Sequence, residues 1–106
     1  MIKHIVMWNL RGETLEQRAE AAQFVKGRFE GLVGLIPGLR TLEIGVDVSR
    51  VDYACDVVLY SEFDDAQALA GYAVHPAHLQ VRQELGDIRI ERYQVDYQPD
   101  YPSEVL

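Results

Sequence analysis

Apolar residues alternate from the first positions of the chain. Ile2, His4, Val6, Trp8 and Leu10 share one face of an extended segment, while Ile5 and Met7 make the other face partly apolar. Gly12 ends this strand, and Thr14 with Gln17 three residues later is a capping-box signal for a helix start. Ala22, Val25, Phe29, Leu32, Val33 and Ile36 then recur at three- and four-residue steps, which predicts an amphipathic helix over residues 14–35. Gly27, Gly31 and Gly34 weaken its second half by about 1 kcal/mol each against alanine, and Pro37-Gly38 stops it. Strands are expected over residues 39–48 and 53–63. In the latter, Cys55, Val57, Leu59 and Phe63 point one way and Ala54, Val58 and Tyr60 the other.

Asp64-Asp65 caps a second helix that runs to residue 73. Proline fixes φ and lacks an N–H, so His75-Pro76 breaks that helix and starts a third, which Gly86 ends. A last strand is expected over residues 92–97, with Tyr93, Val95 and Tyr97 on one face. Ile88 and Ile90 fall on the opposite parity, which predicts a bulge or a later strand start. The order strand, helix, strand, strand, helix pair, strand reads as α+β, a ferredoxin-like four-stranded antiparallel sheet with helices on one face. One domain over residues 1–98 and a proline-marked tail over residues 99–106 account for the chain.

That arrangement leaves the second sheet face bare, with Ile5, Met7, Ala54, Val58 and Tyr60 on it. A large apolar patch of this kind marks an interface, and the same face of a second copy in a two-fold homodimer is its simplest cover.

Composition then narrows the function classes. The formal charge is −7 and the basic residues look scattered, which speaks against sequence-independent binding to nucleic acid or to anionic membranes. No apolar stretch reaches membrane-spanning length and no signal peptide is evident. The single cysteine, Cys55, in a strand-like setting, fits a buried inert thiol in a reducing compartment. A cytoplasmic protein is therefore expected.

The chemistry concentrates in Tyr72-Ala73-Val74-His75-Pro76-Ala77-His78, which holds two of the three histidines. His75 should cap the third helix and His78 should lie in its first turn, where the helix dipole disfavours a charged imidazole. A neutral histidine near pH 7 can accept a proton. The plainer reading makes His75 a cap and His78 an ordinary surface residue.

The chain resembles the stress-responsive A/B barrel (Dabb) family. The resemblance is carried by Met1-Ile2-Lys3-His4-Ile5-Val6-Met7-Trp8, by Ile36-Pro37-Gly38-Leu39, and by Asp56-Val57-Val58-Leu59 leading to Ser61-Glu62-Phe63. It continues through Leu69 to Tyr72, His75-Pro76-Ala77-His78 and Val95-Asp96-Tyr97. It implies a dimeric α/β barrel of ferredoxin-like subunits. The family includes plant heat-stable stress proteins and a plant cyclase, olivetolic acid cyclase, that closes a linear tetraketide by aldol condensation. By position in the Tyr-x-x-His-Pro-Ala-His run, that enzyme's catalytic pair corresponds to Tyr72 and His78, and its early-strand pocket histidine to His4. Val57 stands where the cyclase has a second pocket histidine, which is a departure.

Three chemistries follow. In the first, His78 removes a proton α to a carbonyl and Tyr72 donates to the enolate oxygen, in a small-molecule pocket with His4. Val6, Trp8, Val25, Phe29, Val57, Leu59 and Phe63 are candidates for its wall or simply for the core. This chemistry requires neither metal nor other cofactor. In the second, His4, His78 and Asp56 hold a metal, but their spacing matches no recognised set and Asp56 has the opposite parity to Val57. In the third, the dimer is a non-catalytic stress or ligand-binding module.

Overall fold

A computed structural model describes residues 1–100 of the chain, so residues 101–106 of the expected tail lie outside the described residues. The elements run β1 (Ile2–Leu10), α1 (Leu15–Glu30), β2 (Leu39–Val46), β3 (Val57–Phe63), α2 (Ala66–Val74), α3 (Pro76–Leu85) and β4 (Arg89–Tyr97). The sheet order is β2-β3-β1-β4, and every neighbouring pair is antiparallel. This is the expected α+β ferredoxin-like arrangement. The inner strand faces bury Val6, Trp8, Leu10, Ile44, Val57, Leu59 and Phe63 against Ala22, Val25 and Phe29 of α1 and Val81 and Leu85 of α3.

Local chemistry sets the boundaries. Thr14 accepts from the Gln17 amide at 3.0 Å, and Gln17 Oε1 accepts back from the amides of Glu13 and Thr14, closing the capping box that opens α1. That helix ends at Glu30, five residues short of the expected end. Beyond it the chain continues in tight turns, with Leu32 donating to Phe29 and Leu35 to Leu32, and Gly34 sits at φ 88°. The apolar period survives this change, since Leu32 and Ile36 stay buried. Glu30 also ties the helix end to β2. Its carboxylate accepts from the Ile44 amide at 3.1 Å and from Lys26 Nζ at 2.7 Å, and Lys26 reaches the Ile44 carbonyl at 2.9 Å.

β3 starts at Val57 rather than at residue 53. The preceding loop turns on an Ala54-to-Val51 hydrogen bond, and Asp56 spends its carboxylate on the Leu10 amide at 2.7 Å and on Arg50 at 3.0 Å. Ala54 therefore lies in this loop and not on the strand. Pro37-Gly38 delivers the chain into β2 with Gly38 at φ 80°, where a β-carbon would stand 2.5 Å from the Ala68 β-carbon of α2. β2 ends at Val46, two residues earlier than expected.

The last strand begins at Arg89, earlier than expected, so of the two alternatives the bulge is found and the later start is not. Its register against β1 shifts between Trp8 and Asn9, and Glu91 is the extra residue, at φ 51°. The outer sheet face is left open. Met7, Tyr93, Val95 and Tyr97 are exposed on it, with Ile5, Val58 and Tyr60 half-buried between them.

Candidate functional site

The break between α2 and α3 builds the site. His75 is extended (φ −66°, ψ 136°), and its Nδ1 accepts from the Ala77 amide at 3.0 Å, so this histidine is a helix cap. Pro76 takes the first helical position, which leaves His78 in the first turn of α3 beside the last turn of α2. The Tyr72 and His78 rings stack there, with centroids 4.1 Å apart and planes at 28°. His78 Nδ1 lies 3.4 Å from the Ala73 carbonyl. A carbonyl can only accept, so Nδ1 carries the proton and Nε2 is left as the basic nitrogen.

β1 supplies the floor. His4, Val6 and Trp8 share its inner face, and His4 sits opposite Asp96 of β4. Their side chains meet at 2.5 Å between His4 Nδ1 and Asp96 Oδ1, while Ser61 donates to the His4 carbonyl at 2.8 Å. The His4 ring stands edge-on to Tyr72 at 6.2 Å. Trp8 stacks on Phe29 of α1 at 5.5 Å and 17°. A cleft of about 550 Å³ opens over this floor, lined by His4, Val6, Trp8, Phe29, Leu59, Tyr72 and His78 together with Leu69, Asp96 and three arginines, Arg82, Arg89 and Arg92.

Burial shapes the titration of the stacked pair. It pushes the Tyr72 hydroxyl well above the usual phenol range, against a smaller opposing pull from the charges of Arg89 and Arg92. It also lowers the His78 imidazole below its ordinary value, and the nearby charges of Arg82 and Arg89 act in the same direction. The hydrogen bond to the Ala73 carbonyl opposes this but does not reverse it. Near neutral pH the cleft therefore holds a neutral imidazole beside a protonated phenol.

The structure brings together His78, Tyr72, His4, Trp8 and Phe29, all of which the sequence singles out. Val57, cross-strand from Trp8, is buried in the core and does not line the cleft. Val25 and Phe63 likewise fill the core. Asp56 is not gathered with His4 and His78, because its carboxylate is turned to Leu10 and Arg50 beside a different groove. Among the described residues no cluster of three histidine, cysteine or acidic side chains could hold a metal ion. Burial raises the Cys55 thiol above its ordinary pKa, which keeps it a poor nucleophile.

Sequence reasoning did not bring the arginines or Asp96 to the site. Arg82 had a signal, since it lies four residues after His78 on one helix face. Asp96 had one in its strand parity, opposite to that of Val95 and Tyr97. Arg89 and Arg92 had none in plain alternation, because residues three apart fall on opposite faces of a regular strand. The Glu91 bulge inserts one residue between them and returns both to the inner face.

Comparison with known proteins agrees with this architecture. A family model described as Stress responsive A/B Barrel Domain matches residues 2–99. An uncharacterized protein of Streptomyces coelicolor is 35% identical over 78 residues, covering 74% of this chain and 79% of that protein. A dimeric protein of unknown function with a ferredoxin-like fold from Bacteroides fragilis superposes with TM-score 0.80 at 31% identity, covering 92% of this chain and 94% of that one. The hydroxynitrile lyase of Passiflora edulis shares the fold alone, with TM-score 0.75 at 13% identity and 95% and 96% of the two chains covered. Among the described residues no helix is long and apolar enough to cross a membrane.

Proposed function

The chain belongs to the stress-responsive A/B barrel family, and from that premise we propose that it is a homodimeric small-molecule enzyme catalysing proton transfer at a carbon next to a carbonyl. The observation that carries this reading is the stacked Tyr72–His78 pair facing a cleft of about 550 Å³. His78 Nε2 takes the α-proton as the C–H bond breaks. The electron pair moves into the carbonyl, and Tyr72 donates a hydrogen bond to the enolate oxygen that forms. The imidazolium then gives its proton to the enolate oxygen, yielding the enol tautomer, or, after exchange with solvent, returns a proton to carbon and restores the ketone. Where the enolate carbon instead attacks a second carbonyl of the same molecule, the proton goes to the new alkoxide and a ring closes. Base and donor are both side chains of this chain, so each step balances without a further reactant.

The His4 ring, bonded to Asp96, stands edge-on to Tyr72 at one wall, while Trp8 and Phe29 supply an aromatic surface for an apolar or aromatic ligand. The dimer forms through the open face of the sheet, in keeping with the dimeric description of the Bacteroides fragilis relative.

The test is solvent deuterium exchange at the central carbon of 1-phenylbutane-1,3-dione, followed by NMR. Wild-type protein should accelerate exchange. His78→Gln should slow it by about 10²-fold or more, and Tyr72→Phe by about 10²–10³-fold. Exchange no faster than in buffer, or undiminished in His78→Gln, overturns the catalytic reading.

A further inference from the structure

The cleft is cationic on a chain whose formal net charge is −7. Arg82 of α3 and Arg89 and Arg92 of β4 all line it. Each would ordinarily find a carboxylate on so acidic a protein, yet among the described residues none of the three is in an ion pair. Arg92 is held by Gln94, a neutral amide, and Gln94 in turn donates to Asp96 at 3.0 Å. Asp96 is the acid that lines the cleft, and it is turned to His4. Like charges are thus gathered without a direct ion-pair partner. Arg89 bears the cost, since burial and the neighbouring Arg92 and Arg82 all depress its proton affinity.

The aromatic floor lies under the same guanidinium. Arg89 sits 4.8 Å from the Trp8 ring centre and 5.5 Å from that of Phe29, and Arg92 is 5.9 Å from Trp8. Stacking on an aromatic plane holds a guanidinium in one orientation while leaving its edge N–H groups free to donate. Val6 and Leu59 continue the apolar wall. A ligand that satisfies both features is a flat apolar body ending in an oxyanion.

We propose that Arg82, Arg89 and Arg92 form a carboxylate-binding subsite, so that the cleft selects planar aromatic or apolar carboxylic acids. This rests on the ligand-pocket reading above and names its substrate class. A carboxylate offers two coplanar oxygens that match the fork of the half-buried Arg89, whereas a neutral ester or amide offers no charge to it. With the carboxylate held there, the rest of the ligand extends over Trp8 toward Tyr72 and His78. The substrate of the proton-transfer step is then a keto acid.

Three probes of one shape test this by calorimetry on the wild-type protein: 2-naphthoate, 2-naphthamide and 2-naphthyl phosphate. Naphthoate should bind at least about tenfold tighter than the amide, and added salt should weaken only the anions. Arg89→Gln should bring the affinities for naphthoate and naphthamide within about twofold of each other. Should that variant melt early, Arg82→Gln with Arg92→Gln should narrow the ratio in the same direction. Equal binding of acid and amide by wild type, or an unchanged ratio in the variants, overturns the subsite while leaving the pocket intact. Tighter binding of the phosphate overturns the carboxylate assignment. No binding of any probe overturns the subsite and the ligand-pocket reading together.

Discussion

His78 Nε2 is the atom on which the proposed chemistry turns, and its protonation sets a pH signature. Because burial holds the His78 pKa below 6.5, kcat/KM should rise as pH climbs through that lowered value and then level off near neutrality. The plateau should extend into alkali, since Tyr72 ionises only well above the usual phenol range. A pH–rate profile centred above 6.5 would contradict this assignment. The same shift has a stability consequence. A histidine with a depressed folded pKa favours folding fully above 6.5, and that contribution is lost as pH falls through the folded value. Wild-type protein should therefore lose more melting temperature than His78→Gln between pH 7.5 and 5, as read by calorimetry. Tyr72, His78 and His4 were legible in the sequence because proline geometry and strand parity fix where they point. The arginine cluster was not, since its parts come from two elements and a bulge re-aims one of them.

Among the elements, β4 shows how one residue sets the face of its neighbours. Glu91 holds a left-handed conformation that costs a non-glycine residue roughly 1–2 kcal/mol. Glu91→Gly should be neutral or stabilising in denaturant melts even though it gives up the Asn9 contact. A β-branched Glu91→Val should destabilise by about 1 kcal/mol or more. Deleting Glu91 should turn Arg89 to the open face and erase the preference for acids over amides, with naphthoate titration as the readout. Element order and the bulge were readable from alternation and turn residues. The end of α1 and the start of β3 were not. Apolar spacing continues through the turns after Glu30, and Asp56, whose backbone still bonds Trp8 and Asp47, commits its carboxylate to Leu10 and Arg50 at the strand's start in contacts that no local pattern encodes.

For the whole molecule, the proposed dimer makes the open sheet face the place to test assembly. Val58 lies mid-face between Met7 and Gly45, so Val58→Asp should place an unpaired charge in the dimer interface and yield monomer by sedimentation at micromolar concentration. Wild-type protein sedimenting as a monomer would contradict the dimer itself. The face was legible because its strands carry apolar residues on both sides; the direction in which copies add is a separate matter. β2 is an outer strand of the sheet, and Lys26 and Glu30 occupy the amide and carbonyl that Ile44 would otherwise offer to a newcomer. Strand addition at Ile44 is thereby hindered, so the proposed sheet-face association should end at a finite pair instead of a fibre. Since Glu30 is held below its usual carboxyl pKa, the block should persist into moderate acid and fail only as pH falls through that lowered value. Lys26→Ala with Glu30→Ala should bring fibrous, thioflavin-positive polymerisation at neutral pH, where the unaltered chain should show none.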